Sequence, residues 1–304
     1  MPTLKDMVDE VRSNLAGYTM RQDRITYLAN LDGLTTTGTD ITVGTTSGST
    51  NNLAKGIIEI DDELLWIDSF DKTTNILKVI PGFGRGYSNT TPAPHAKNAQ
   101  VTLAPTFPRV NIKQAINDTI NSVFPNLWSI QSTTFTFNAA VTTYSLPDDA
   151  EDILGVSWQT TGASKEWVPV KRWRLDPMAN AASFNSNNSI SIYDFIVSGR
   201  TVQVWYTAAP NTLDSNSDEF GDVTGLPNTS RDVITLGAAS RLLSFVDAGR
   251  LNLTSAESDT ADTKIPSNAS ASASKYVYGL YQQRLKEEAS RLQGQYPTKI
   301  HYSY

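Results

Sequence analysis

The stretch NIKQAINDTINSVFP at residues 111–125 decides how the rest of the chain is divided. Its apolar residues recur every three or four positions, which is the spacing of one face of an α-helix. Asn111, followed three residues later by Gln114, is typical of a capping box, and Pro125 predicts where the helix ends. A helix is therefore predicted over residues 112–124, between two long stretches of different character.

Three further segments have the same helical period. Each starts at a Thr or Ser and ends close to a glycine, the residue that most often follows a helix. They are predicted near residues 4–16, 231–248 and 274–293, with Gly17, Gly249 and Gly294 as the terminating residues.

The stretches that separate the helices are rich in Thr, Ser and Asn and show the alternation of β-strands. In the first, strands are predicted at 56–60, 63–68, 75–80 and 100–103, which favours a small barrel or sandwich. In the second, strands are predicted at 134–137, 143–146, 153–158 and 166–170, and the sequence FIVSGRTVQVWYTA predicts a hairpin that turns at residues 198–200.

These elements predict an α+β chain. A helical bundle core is assembled from discontinuous segments, and two β-rich modules, each barrel-like or sandwich-like, are inserted into it. The core takes residues 1–23, 106–128 and 226–293; the β modules take residues 24–105 and 129–225; residues 294–304 form an extended C-terminal arm.

The formal net charge of −6 argues against a protein that grips nucleic acid, because such binding depends on neutralising phosphates with Lys and Arg. Cysteine is absent, which removes disulfides, thiol nucleophiles and zinc–thiolate sites. The first residues form an amphipathic helix without the apolar region of a signal peptide, and no apolar run is long enough to span a bilayer. We expect a soluble protein, made in a cytoplasm, with no membrane partner.

Residues that could carry chemistry are scattered. His95 and His301 are the only histidines, and both are expected at the surface. The GFGRG sequence at 82–86 lacks the GK[ST] ending of a phosphate-binding loop, so turn glycines are the better interpretation. Residues 61–63 lack the ligand spacing of a calcium loop and are expected to form a polar turn. We predict no catalytic, cofactor-binding or metal-binding residue, and no enzyme.

The C-terminal sequence QYPTKIHYSY places aromatic and apolar residues at even spacing, which fits an extended strand. Such a strand can pack on its own chain or add to the sheet of a neighbour, and both possibilities are open. The candidate docking residues, toward a neighbouring copy or another partner, are Tyr296, Ile300, Tyr302 and Tyr304. A Ser/Ala-rich arm at residues 251–273 is a second candidate for docking.

Several motifs, taken together, resemble the head-to-tail adaptor (connector) proteins of tailed bacteriophages. They are LxDMVxEVRxxLxGYTxRQD at 4–23, IEIDDELLWID at 58–68, RGYSNTTPAPHAKNAQV at 85–101, FPRVNIKQAINDTINSVFPNLW at 107–128 and TYSLPDDAEDILGVSW at 143–158. Their order around a divided set of helices carries the resemblance more than any single motif.

The resemblance implies a structural virion protein at the head–tail interface. Such adaptors form a ring, commonly of twelve copies, that contacts the portal on one side and tail or nozzle proteins on the other. DNA passes through the lumen without specific binding. The resemblance implies no cofactor and no catalytic residue.

Two other functions are compatible with the sequence. Trp158, Trp167, Trp173 and Trp205 all fall in the second β stretch, where exposed indoles would suit a baseplate or fibre-linked protein with a glycan-binding β module. Loss of binding in Trp173→Ala would favour that alternative. The acidic runs at 148–152 and 214–222 are compatible with a glycoside hydrolase or cell-wall lyase, although solvated loops explain them better.

Overall fold

The computed structural model describes residues 2–19, 23–44, 55–161, 165–180, 183–184, 186–251 and 269–296. Within them lie five α-helices and two β modules, so the predicted α+β class is confirmed. The helices are α1 (Leu4–Thr19), α2 (Arg109–Val123), α3 (Phe220–Thr224), α4 (Arg231–Leu251) and α5 (Ala269–Gln295). The chain forms two compact units, one of Met1–Lys5, Asn117–Leu236 and Tyr278–Tyr304, the other of Asp6–Ile116 and Gly237–Val277.

The first β module is one curled, six-stranded antiparallel sheet. Its strands are β1 (Arg24–Tyr27), β2 (Asp40–Thr42), β3 (Gly56–Ile60), β4 (Glu63–Asp71), β5 (Ile76–Val79) and β6 (Gln100–Leu103), in the order β1-β6-β3-β4-β5-β2. Strands β3, β4 and β5 form a meander. Just beyond β1 and β2, a bridge between Leu28 and Val43 joins the two outer strands, so the sheet curls around an aliphatic core.

The second β module is a sandwich of two antiparallel sheets. Its strands are β7 (Ser129–Thr136), β8 (Thr143–Ser145), β9 (Asp152–Gln159), β10 (Trp167–Pro169), β11 (Trp173–Asp176), β12 (Ser189–Ile192) and β13 (Thr201–Ala208). One sheet has the order β10-β9-β13-β7 and the other β11-β12-β8. Both contribute to one buried core, in which Val202 and Val204 from the first sheet join Ile190 and Ile192 from the second.

The predicted hairpin that turns at residues 198–200 is wrong. Residues 195–197 are outside any strand, and β13 lies instead between β7 and β9, pairing with both. The turn contacts the residue that follows β7, since Gly199 donates its backbone N–H to the carbonyl of Phe137 at 2.8 Å. Periodicity locates a strand in the sequence, whereas its partner depends on contacts between distant segments.

The predicted capping box of α2 does not form, because the helix begins at Arg109, two residues before Asn111. The carbonyl of Pro108 accepts the N–H groups of Asn111 and Ile112, which therefore lie inside the first turn. The N–H of Arg109 is instead satisfied by the carboxylate of Glu59 in β3, at 2.6 Å. A carboxylate at a helix N-terminus is also favoured by the helix dipole. A distant residue thus replaces the local cap.

The glycines predicted to end helices lie inside them. Gly17 is within α1, Gly249 within α4 and Gly294 within α5. A glycine in a helix interior costs only about 1 kcal/mol relative to alanine, so packing and further backbone hydrogen bonds can extend a helix beyond it.

Polar contacts within one compact unit join the start of α4 to α5. The Arg284 guanidinium lies 2.7 Å from the carboxylate of Asp232, and Thr229 donates to the buried carboxylate of Glu288 at 3.0 Å. In the same unit, the N-terminal residues pair with the acidic loop, since the N–H of Leu4 donates to the carbonyl of Asp218 at 2.9 Å.

Candidate functional site

Tyr296 is the one predicted docking residue among those that the structure describes. Its backbone N–H donates to the carbonyl of Leu292 at 3.0 Å, directly after α5. Its ring meets that of Trp128 edge to face, with 6.1 Å between centroids, and 36% of the residue stays exposed. Ile300, Tyr302 and Tyr304 lie outside the described residues, as does most of the 251–273 arm.

His95 is not a surface residue, contrary to the prediction. Only 4% of it is exposed, and its ring lies between two carboxylates. Nδ1 is 2.8 Å from Asp61 and Nε2 is 2.9 Å from Glu63. Burial alone would lower the pKa of His95, but the hydrogen bonds and charges of the two carboxylates outweigh it and raise the pKa to about 9. The imidazole is therefore a cation with both N–H groups donated.

Glu63 is the centre of this cluster, at the first position of β4 and 1% exposed. Burial would raise the pKa of Glu63. Donors surround its carboxylate, however, and hydrogen bonds from Arg85, from His95 and from the backbone N–H groups of Ala93 and Gly86 lower the pKa to about 2. The carboxylate is charged, buried and compensated from several directions.

The Arg85 guanidinium fastens the loop that follows β5. Two of its nitrogens contact the Glu63 carboxylate, at 2.7 and 2.8 Å. Its remaining N–H groups donate to the backbone carbonyls of Thr35, Gly38 and Ala93, so every guanidinium donor is used. Gly82 and Gly86, with φ of 90° and 63°, make the turns on either side, as the sequence predicts for GFGRG.

The contacts within the cluster of Asp61, Glu63, Arg85 and His95 hold the loop after β5 against the start of β4. Arg85 and His95 both act as donors to Glu63, and neither leaves a donor free for a substrate. Across the described residues, no group of three or more His, Asp or Glu side chains is arranged to hold a metal ion.

A second ionic cluster, in the same compact unit, fastens α1 and the start of α2 to the first β module. Arg12 of α1 contacts Asp23 and the buried Glu59, each at 2.9 Å. Burial raises the pKa of Glu59, against the lowering effect of Arg12 and Arg109. Arg109 also contacts Asp9 at 2.6 Å, so one helix start is held by charges from α1 and from β3.

The chain from His95 to just beyond the last helix matches a known protein family. Residues 95–298 match the SU10 adaptor protein family, and this range starts at His95 and takes in the second β module and helices α2 to α5. The chain belongs to the SU10 adaptor protein family. Membership indicates a structural adaptor role in a bacteriophage particle, in contact with other virion proteins. No curated protein matches the chain.

Among its described residues, this adaptor has no helix that combines the length and apolar character needed to cross a membrane. The match does not extend over α1 or most of the first β module. Glu59, Glu63 and Arg85 lie outside the matched residues, whereas their partners His95 and Arg109 lie within them.

The tryptophans of the adaptor's second β module fall into two pairs. Trp158 and Trp173 are partly buried and pack against the core of the sandwich. Trp167 and Trp205 are each 43% exposed. Trp173→Ala would therefore disturb the core, so the residues that suit a test of surface binding are Trp167 and Trp205.

Asp149 and Asp218, one from each acidic run of the adaptor, have hydrogen-bond partners within the chain. The carboxylate of Asp218 accepts the N–H groups of Asp214 and Ser215, at 2.9 and 2.8 Å. Asp149 lies 3.4 Å from the hydroxyl of Tyr206, whose pKa is raised to about 12 by burial and by that carboxylate. These contacts give Asp149 and Asp218 structural roles.

Proposed function

We propose that this adaptor is a subunit of a homo-oligomeric ring, with twelve copies as the expected number, that joins the portal to the tail and forms part of the DNA channel. Membership of the SU10 adaptor protein family over residues 95–298 is the observation that carries the proposal. Within one compact unit, the contacts of Arg284 with Asp232 and of Thr229 with Glu288 join the start of α4 to α5, as expected for helices that contribute to the core of the subunit. Tail or nozzle proteins are the partners on the side away from the portal.

The charge of the chain suits a conduit. Each phosphate that a channel neutralises adds affinity that must be broken when DNA leaves the particle. A formal net charge of −6 repels the DNA backbone, so the genome passes without specific binding. Neighbouring copies in such a ring meet through two different faces and close by rotation, and a permanent interface of this kind buries roughly 2,000 Å² or more.

The C-terminal residues are the proposed docking segment. Tyr296, which directly follows α5, is partly exposed. Tyr276 and Tyr278 within the same helix are 62% and 53% exposed. Exposed aromatic side chains are typical of the centres of protein interfaces. Ile300, Tyr302 and Tyr304 continue this aromatic pattern in the sequence, and we place them against the portal or a neighbouring copy.

Mixing the purified chain with its purified portal tests the proposal. Negative-stain electron microscopy and native mass spectrometry are expected to show a ring of adaptor copies on the portal. Truncation after Gln295 is expected to weaken ring formation at least tenfold, because it removes the whole aromatic segment. Phe83→Ala, which changes an exposed aromatic residue of the first β module, is the control and should leave the ring intact.

A chain that remains monomeric with its portal would contradict the proposed function. A ring that forms equally well without residues 296–304 would contradict the docking role of the C-terminal segment and leave the adaptor function standing.

A further inference from the structure

The outer face of the four-stranded sheet carries a single charged side chain along its paired strands, the carboxylate of Asp152 at one end. Antiparallel pairing places directly opposed residues on the same side of a sheet. Val202, Val204 and Val156 point into the core, so their neighbours along each strand form the outer face. These outer residues are Ile130, Ser132, Thr134, Thr136, Asp152, Gly155, Ser157, Gln159, Trp167, Pro169, Thr201, Gln203, Trp205 and Thr207.

The two exposed tryptophans belong to this outer face. Trp205 is opposite Gly155 of β9, and Trp167 is opposite Gln159 of the same strand. With about 3.3 Å of rise per residue and about 4.8 Å between strands, the two tryptophan backbones are roughly 16 Å apart. That separation exceeds one sugar ring, so the two indoles can hold different units of one extended chain molecule.

The side chains of the outer face favour a carbohydrate over a protein as its ligand. A permanent protein interface has a mainly apolar centre. Here the large apolar side chains are Trp167, Trp205, Pro169 and, at one end, Ile130, and most of the others carry hydroxyl or amide groups. The C–H groups on one face of a pyranose ring suit the electron-rich face of an indole. Sugar hydroxyls can exchange hydrogen bonds with Gln159, Gln203 and Ser157. The face offers no cation to an acidic sugar.

We propose that the outer face of the sheet β10-β9-β13-β7 binds a neutral polysaccharide, with Trp167 and Trp205 stacked on separate sugar units of one chain. Glutamine and serine side chains between them set the orientation of the sugar hydroxyls. This binding site is additional to the proposed adaptor ring and does not depend on it.

Affinity electrophoresis through gels that contain dextran, mannan or galactomannan tests the proposal, together with an array of neutral and acidic glycans. At least one neutral glycan is expected to retard the full chain, and acidic glycans such as alginate are not. Trp167→Ala and Trp205→Ala should each weaken binding at least tenfold. Tyr193→Ala, an exposed aromatic change in the same module but outside this face, is the matched control.

A variant that adds a side chain to the outer face tests the site without removing a tryptophan that contributes to packing. A side chain added at Gly155 meets no atom within 4 Å, so Gly155→Arg should fold normally while placing a bulky group beside Trp205. It is expected to abolish glycan binding with an unchanged melting temperature. Absence of binding to every neutral glycan, or binding that survives both tryptophan changes, would overturn the proposal. So would loss of self-association instead of glycan binding, which would assign the face to a second copy of the chain.

Discussion

Arg85→Ala is expected to lower the free energy of unfolding by about 3–5 kcal/mol, because removing one partner of a buried ion pair leaves the other charge uncompensated. Glu63 is 1% exposed and takes two hydrogen bonds from Arg85. The same change also leaves the carbonyls of Thr35, Gly38 and Ala93 without their guanidinium donor. Urea denaturation followed by tryptophan fluorescence and circular dichroism measures the loss.

Lys55→Ala is the matched control for Arg85→Ala. Lys55 pairs with Asp68 in the same β module at 3.1 Å, but both side chains are more than half exposed. Exposed ion pairs contribute at most about 1 kcal/mol, so this variant should be close to the wild type. Equal and small losses in both variants would show that the cluster around Glu63 does not stabilise the fold.

The free energy of unfolding is also expected to fall by about 3 kcal/mol as the pH rises from about 6.5 to 9, through the titration of His95. The folded chain holds the pKa of His95 at about 9, above its ordinary value of 6.5, chiefly because Asp61 and Glu63 outweigh the opposing effect of burial. A raised pKa contributes stability that is fully present below 6.5 and is lost as the pH passes 9. On the acid side, Glu63, with its pKa lowered to about 2, contributes stability that is lost as the pH falls below 4.5.

His95→Asn isolates the titration of His95, because asparagine keeps hydrogen-bonding capacity without a titratable group. The gap in stability between wild type and variant should be widest near pH 6 and should narrow as the pH approaches 9. Urea denaturation at intervals between pH 5.5 and 9 measures this gap. A gap that stays constant over that range would show that His95 is not a buried cation.

Sequence periodicity predicted the elements whose stability comes from their own apolar face. The four long helices and strands β3, β4 and β6 lie where the pattern places them. Strands β2 and β11, of three and four residues, were not predicted. Helix ends were less predictable, since α2 takes its cap from Glu59, about fifty residues earlier in the chain.

The buried ionic cluster was missed, although one signal for it is present in the sequence. In ELLWID, Glu63 has the same parity as Leu65 and Ile67, which are both buried. Alternation therefore places a carboxylate on the inner side of β4, and a buried carboxylate requires cationic partners. Which cations supply them could not be predicted, because Arg85 and His95 reach Glu63 only through the path of the loop after β5.

The exposed tryptophans show the same limit. The sequence alone does not show which tryptophans of the second β stretch are buried and which are exposed. The strand register places Trp158 on the core side and Trp167 and Trp205 on the outer side. A one-residue change in register would reverse their positions.

A cryo-electron-microscopy reconstruction of the intact phage particle, at the vertex where the portal meets the tail, tests the central claim most directly. The account predicts density for this chain as a closed ring between the portal and the tail proteins, with the C-terminal residues after Tyr296 against the portal or a neighbouring copy. A chain located in the baseplate or the fibres, with another protein between portal and tail, would contradict it.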